Sequence, residues 1–188
     1  IYSVSMLPPV AINCIYHDGT IAPFIIAFAA TLATGALLWL FFRSYCSELK
    51  IRDGFLVVVL FWAVLSVFGS LPFILTKIPG VNFTNAIFES VSGLTTTGAN
   101  AFHHLDAMSH ATLYYRQQLH FLGGMGIIVL AVAIIPMLGV GGMQLYRAET
   151  PGPIKDAKLA PRVTETAKTL WYIYIGLIVF CCISYWIA

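Results

Sequence analysis

Three stretches of this chain, Thr20–Phe42, Gly54–Thr76 and about Thr112–Leu138, each run for about 20 residues or more with almost no charge, long enough to cross a bilayer as helices. Two further apolar stretches lie at Ile1–Tyr16, broken by Pro8–Pro9, and at Leu170–Ala188. Each full-length stretch is apolar all round, as a lipid-embedded helix is. The composition agrees. Only 10% of the 188 residues are charged, against about 25% in a soluble domain. A compact globule of this size could not hide 59% hydrophobic residues and a mean hydropathy of +0.86. A soluble, disordered or nucleic-acid-binding protein is therefore excluded, and membrane lipid is the expected surrounding. The net charge of +2 points to no anionic partner. Cys14, Cys46, Cys181 and Cys182 lie in or beside apolar segments without metal-ligand spacing, and read as small apolar residues. The first stretch has no basic lead-in and no A-x-A site, so it is not a signal peptide. It starts without Met inside apolar sequence, and the last stretch stops inside an apolar run. The chain is expected to be a piece of a longer protein.

The basic residues set the orientation. Between Thr20–Phe42 and Gly54–Thr76 lie Arg43, Lys50 and Arg52; between Thr112–Leu138 and Leu170–Ala188, the fourth and fifth stretches in chain order, lie Arg147, Lys155, Lys158, Arg162 and Lys168. The opposite side carries only Lys77 and Arg116. The richer side is assigned to the cytoplasm. His17–Thr20 and Lys77–His110 then face outward, and Trp39 and Trp171 fall near the cytoplasmic boundary.

Within the outward-facing stretch, Asn82–Leu94 (NFTNAIFESVSGL) is apolar on one side. At about a dozen residues it is too short to span, and has the length of a re-entrant segment. The pattern predicts a helix over Asn85–Ser92, with Asn82 or Thr84 as N-cap and Gly93 as a left-handed terminator. Leu94-Thr95-Thr96-Thr97-Gly98-Ala99-Asn100 follows. Three consecutive β-branched residues favour extended backbone. Such backbone survives at membrane depth only if it lines a watery cavity or is buried in protein. A dehydrated cation can satisfy carbonyls that have no other partner. Gly98 permits a dihedral that turns carbonyls inward, and the C-terminal end of the short helix favours a cation. The segment reads as a cation filter. On local sequence alone, a buried connecting loop between helices stays open beside it.

FESVSGLTTTGAN, followed by YYRQQLHFLGGMGIIVLAVAIIPMLGVGGMQLYRAETPGPIKDAKLAPRVTETAKTLW, closely resembles the TrkH-type, pore-forming members of the bacterial Trk potassium uptake family (TrkH/KtrB). The resemblance runs over nearly the whole chain and is most specific from Phe88 to Trp171. It implies an all-α membrane protein with four non-identical helix–pore-loop–helix units around one potassium pathway. This chain would hold the N-terminal part. Residues 1–52 would be a preceding transmembrane helix pair. Residues 53–142 would be the first pore unit, with its filter at 95–99. Residues 143–168 would be a cytoplasmic linker, and 169–188 the start of a second unit. Gly98 matches the filter glycine. Thr96 and Thr97 match the two residues before it, whose carbonyls contact potassium; Thr95 and Ala99 flank them. The resemblance further implies a bacterial inner-membrane location, with the pore loop periplasmic. It implies a homodimer, a cytoplasmic nucleotide-binding subunit of TrkA type, and three further pore units, since one loop cannot encircle an ion. Potassium is the transported ion, and no organic cofactor or enzyme activity is expected.

Other residues carry two readings each. Glu89 is an acid on the short helix, either bracing the filter backbone together with Gly93 or reaching solvent. On the bracing reading, Glu89→Gln keeps transport and Glu89→Ala loses folding yield or selectivity. Gly123, Gly124 and Gly126 either pack helices closely or make room beside the filter, and Pro136 kinks or hinges the inner helix. His103, His104, Asp106 and His110 match no strong metal template. His110 and His120 raise a haem pair, hence a redox anchor subunit as one rival. A less selective or sodium-coupled cation transporter is another. The proline-punctuated connector Met143–Lys168 is a solvated linker or a docking segment. GVGGM lacks the Lys-Ser/Thr of a phosphate loop.

Overall fold

A computed structural model describes residues 2–44, 51–76, 81–102, 105, 108–137 and 159–187, with the side chains of 51–55, 57, 129–137 and 159–164 outside the description. The described residues are helical, with turns and short extended segments between. A 3-10 helix, Tyr2–Met6, leads into α1 (Leu7–Tyr16). Then follow α2 (Ile21–Phe42), α3 (Ile51–Leu75), α4 (Phe83–Leu94), α5 (His110–Met137) and α6 (Leu159–Ile187). Among the described residues, three windows are long and apolar enough to cross a membrane, Ile21–Phe42, Val58–Leu75 and Glu165–Ile187. The fourth apolar stretch forms the 28-residue α5, about 42 Å of helix.

Two boundaries differ from the sequence reading. Pro8 and Pro9 do not break the first segment. They sit in the first turn of α1, where the missing N–H has no intrahelical partner to lose. The last helix begins at Leu159 rather than near Leu170, so the end of the expected linker is helical. Pro161 is tolerated there because it also falls in a first turn. Residues 138–158, and with them Gly139, Gly141, Gly142 and most of the connector, lie outside the described residues.

The chain forms two compact units, 1–123 and 124–188. The first has one core, in which Met6, Phe24 and Ala27 pack with Phe73, Ala86, Leu94, Phe102, Ala111, Tyr115 and Leu119. The leading helix pair therefore shares its interior with the expected pore unit, and no packing boundary falls at 52/53. Phe73 is the aromatic hub, with ring centroids 5.2 Å from both Phe102 and Tyr115. In a bilayer, lipid is as apolar as a core, so close contact and hydrogen bonds do the holding. Small residues allow that contact. At Gly69 of α3, a Cβ would lie 2.5 Å from Ser90 Oγ and 2.7 Å from the Tyr2 hydroxyl. Tyr115 Oη donates to the Gly69 carbonyl at 2.9 Å.

The turn between α1 and α2 is fixed to the start of α5. His17 and Gly19 take positive φ (57° and 72°), which reverses the chain within four residues. Asp18 then accepts the Ala111 N–H at 2.9 Å and pairs with the His110 ring at 3.2 Å. Ser109 Oγ, beside it, accepts the Thr112 N–H as a local N-cap. The Tyr16 ring stacks on His110 with centroids 4.2 Å apart. Desolvation by itself would raise the Asp18 carboxyl. The Ala111 N–H and the His110 imidazole outweigh it and hold the group below its usual value.

In the second unit, Gly124 gives room to Tyr174 of α6, since a Cβ there would meet the phenol oxygen at 2.4 Å. Trp171 Nε1 donates to Met125 Sδ at 2.7 Å. The rest of α6 presents Tyr172, Leu177, Phe180 and Trp186 outward, as a lipid-facing helix does. On α2, the Arg43 guanidinium lies 5.8 Å from the Trp39 ring, a pairing suited to a membrane boundary.

Candidate functional site

The site is the short helix α4 and the irregular segment that leaves it, called the returning strand for its direction only. Asn82 is the N-cap in extended conformation, and its carbonyl accepts the Ala86 N–H at 3.0 Å. The helix then runs through Gly93 and Leu94 and stops at Thr95. Gly93 is thus not the left-handed terminator expected from sequence. It is a packing residue: a Cβ there would sit 2.9 Å from Leu119 Cβ of α5. One turn further along α5, the Leu94 carbonyl rests on the bare Cα of Gly123, where a Cβ would come within 2.0 Å of the oxygen. The two glycines let α4 and α5 touch backbone to backbone.

The left-handed position falls on Thr96, with φ +56°. Thr97 N–H donates to the Ser92 carbonyl at 2.9 Å and Thr96 N–H to the Gly93 carbonyl at 3.0 Å. That pair of bonds is a Schellman turn. Thr95 N–H and Thr95 Oγ1 both donate to the Val91 carbonyl, at 2.8 Å each. A β-branched residue at positive φ is strained by about 1–3 kcal/mol, and such strain gathers at functional sites. Gly98 also takes positive φ, +73°, which glycine adopts without that cost.

Handedness therefore alternates from Thr95 to Gly98. A pleated strand sends successive carbonyls to opposite sides; reversing φ at every second residue removes that alternation. Among the described residues, the carbonyls of Thr95, Thr96, Thr97 and Gly98 accept no hydrogen bond. The segment is exposed on this chain. The Ala99 carbonyl differs, because Ser92 Oγ donates to it at 2.6 Å.

Beyond Ala99 the strand is held from behind. Glu89 is 2% exposed; one of its carboxylate oxygens accepts the Ala101 N–H at 2.9 Å, and the other accepts Nε of Arg116. Arg116, 7% exposed on α5, also reaches Asn100 Oδ1 at 3.5 Å. Asn100 Oδ1 accepts the Phe102 N–H at 3.0 Å. Glu89 is thus neither solvated nor alone. Arg116, read from sequence as an outer flanking charge, is its buried counter-ion. The expectation that Glu89→Gln is harmless changes accordingly, since Gln would leave a buried guanidinium without a counter-charge.

Sequence reasoning misses the roles of Arg116 and Ser92. Arg116 is within its reach: an acid inside an apolar segment demands a cation, and the outward side offers only Arg116 and Lys77. Ser92 gives no such signal, because its hydroxyl bond depends on the turn at Thr96.

The remaining residues fall elsewhere. His110 belongs to the Asp18 pairing, and His120 Nδ1 donates to the Arg116 carbonyl at 2.9 Å. His103, His104 and Asp106 lie outside the described residues. Among the described residues no three His, Cys, Asp or Glu side chains gather as a metal-holding group. Pro136 lies in the last turn of α5 and Gly126 near its middle. The side chain of Pro136 is outside the description.

The site is thus a half-buried short helix followed by a segment whose carbonyls accept no hydrogen bond among the described residues. The profile of the TrkH family, described as cation transport protein, matches residues 21–188. This chain belongs to that family, whose members are multi-pass membrane proteins. It is 54% identical over 188 residues to the Trk system potassium uptake protein TrkH of Vibrio parahaemolyticus, covering 100% of this chain and 39% of that protein. It is 56% identical over 187 residues to the Trk system potassium uptake protein TrkH of Halomonas elongata, with the same coverage of 100% and 39%. The crystal structure of the potassium transporter TrkH from Vibrio parahaemolyticus superposes with a TM-score of 0.81 at 47% identity, covering 99% of this chain and 36% of that one. The chain thus spans about two-fifths of the length of these two relatives, 39% of each.

Proposed function

We propose that this chain supplies the first quarter of a potassium uptake pore in a bacterial inner membrane. The carbonyls of Thr96, Thr97 and Gly98, flanked by those of Thr95 and Ala99, coordinate dehydrated K+. The observation that carries this reading is the run of four unpartnered carbonyls, Thr95 to Gly98, after a helix whose Val91, Ser92 and Gly93 carbonyls are occupied. In hydrocarbon such groups need a partner, and a dehydrated cation is one. The Schellman turn and the Glu89–Ala101 bond support the strand from both ends, and Gly93 and Gly123 bring it close to α5. The names of the relatives support potassium as the ion.

One loop covers one side of an ion. Three further units of the same longer protein complete the ring. By the same likeness that protein is a homodimer served by a cytoplasmic TrkA-type nucleotide-binding subunit, with this loop entering from the periplasm. Transport is permeation through the filter and needs no covalent step.

The test is Rb+ flux by the full-length protein in liposomes, wild type against Gly98→Ser. A side chain at φ +73° is strained by about 1 kcal/mol or more and reorients the carbonyls. Flux is expected to fall about tenfold or more, with weaker exclusion of Na+. Unchanged flux together with unchanged Na+ exclusion would sink the filter assignment. Equal Rb+ and Na+ flux in the wild type would point instead to a less selective cation transporter.

A further inference from the structure

We infer that Arg116 is a positioning residue of the ion filter, cancelling the charge of Glu89 beside it so that selectivity rests on backbone carbonyls alone. The inference depends on the potassium-filter reading above. Arg116 is on α5, Glu89 on α4, and Asn100 on the returning strand, so one guanidinium joins the three segments that frame the filter. All but the Asn100 side chain are buried.

The carboxylate has two oxygens and two tasks. One holds the Ala101 N–H two residues past the last candidate carbonyl. The other needs a counter-charge, because an unpaired carboxylate at 2% exposure is costly and would itself attract cations. A full negative charge beside the filter binds small, strongly hydrated and dehydrated cations alike. A ring of carbonyl dipoles discriminates by the fit between dipoles and ion. With Arg116 in place the pair is neutral, and a passing ion meets dipoles. Lysine would restore the charge but not the fork that reaches both Glu89 and Asn100.

The experiment measures discrimination, the ratio of Rb+ to Na+ in competition for uptake by the full-length protein in liposomes. Arg116→Met is expected to lower it about tenfold, and Arg116→Lys about threefold. The double variant Glu89→Gln with Arg116→Met removes both charges yet keeps an acceptor for Ala101. It is expected to recover to within about threefold of wild type, since replacing both partners of a buried pair is far milder than removing one. A purely structural role for Arg116 would leave the double variant as poor as the single. If Arg116→Met yields no folded protein, the double variant is set against Glu89→Gln, and the same recovery is required. Wild-type discrimination in Arg116→Lys and Arg116→Met overturns the inference, as does a double variant without recovery. A wild-type protein that carries no Rb+ would instead overturn the filter reading itself.

Discussion

On the way in, Phe83–Leu94, six of twelve residues are buried, and the carbonyls of Val91, Ser92 and Gly93 all accept hydrogen bonds. On the way back, Thr95–Gly98 are exposed on this chain and their carbonyls accept none among the described residues. Both limbs come from one run of small and β-branched residues. The difference is contact. The ingoing limb touches α5 through Gly93 and Gly123, so its backbone is fixed. The returning limb is tied to the helix end by the N–H groups of Thr95–Thr97, and its next anchors among the described residues are at Ala99–Phe102, through Ser92, Glu89 and Asn100. A filter needs this division, with rigid scaffolding behind and polar groups with no protein partner in front.

The largest expected effect comes from spoiling the ingoing limb. Gly123→Ala puts a Cβ within 2.0 Å of the Leu94 carbonyl oxygen, and backbone cannot swing aside as a flexible side chain can. Overpacking of this kind costs about 3 kcal/mol. A fall in the thermal midpoint of the purified full-length protein, with loss of Rb+ flux, is the expected result. A wild-type midpoint and wild-type flux would mean that α4 and α5 do not meet there.

A smaller effect is expected where the limbs join. Ser92→Ala removes the donor to the Ala99 carbonyl at a cost of about 1 kcal/mol, equivalent to about fivefold in an equilibrium. Rb+/Na+ discrimination should drop by about that factor while protein yield stays unchanged. If yield falls and discrimination holds, Ser92 serves the fold and not the filter.

The smallest effect lies away from both limbs, at Asp18. Its folded pKa is below the unfolded value, so it contributes stability above that unfolded value, about 3.9, and loses it as pH falls through the folded one. The difference in thermal midpoint between wild type and Asp18→Asn should shrink as pH falls below about 4, where the carboxylate takes up its proton. A difference that grows below about pH 4 would contradict the capping role.

What can be read from sequence follows the range of the forces involved. The short apolar segment between membrane-length ones, and the special backbone at Gly98, are local properties, and each is visible in a few neighbouring residues. The left-handed turn at Thr96 is not legible in this way, because glycine is the usual left-handed residue. Here Gly93 is needed for contact with Leu119, so the turn moves three residues on and falls on threonine. The start of α6 at Leu159 is hidden by Pro161 and by polar residues, which mark a linker unless the proline falls in a first turn. The pairing of Glu89 with Arg116 leaves a partial trace: an acid in an apolar segment calls for a cation, which narrows the partner to Arg116 or Lys77, but the choice between them depends on how α4 packs on α5.

The cap on α5 has a consequence for how the chain is made. The N–H of Ala111 is met by a carboxylate 93 positions earlier. At a ribosomal speed of about 5–20 residues per second, Asp18 waits roughly 5–20 s for the helix it closes. Until then the carboxylate lacks the helix N–H that holds it in the folded chain, and the turn between α1 and α2 gains its tie to α5 only once α5 has been made.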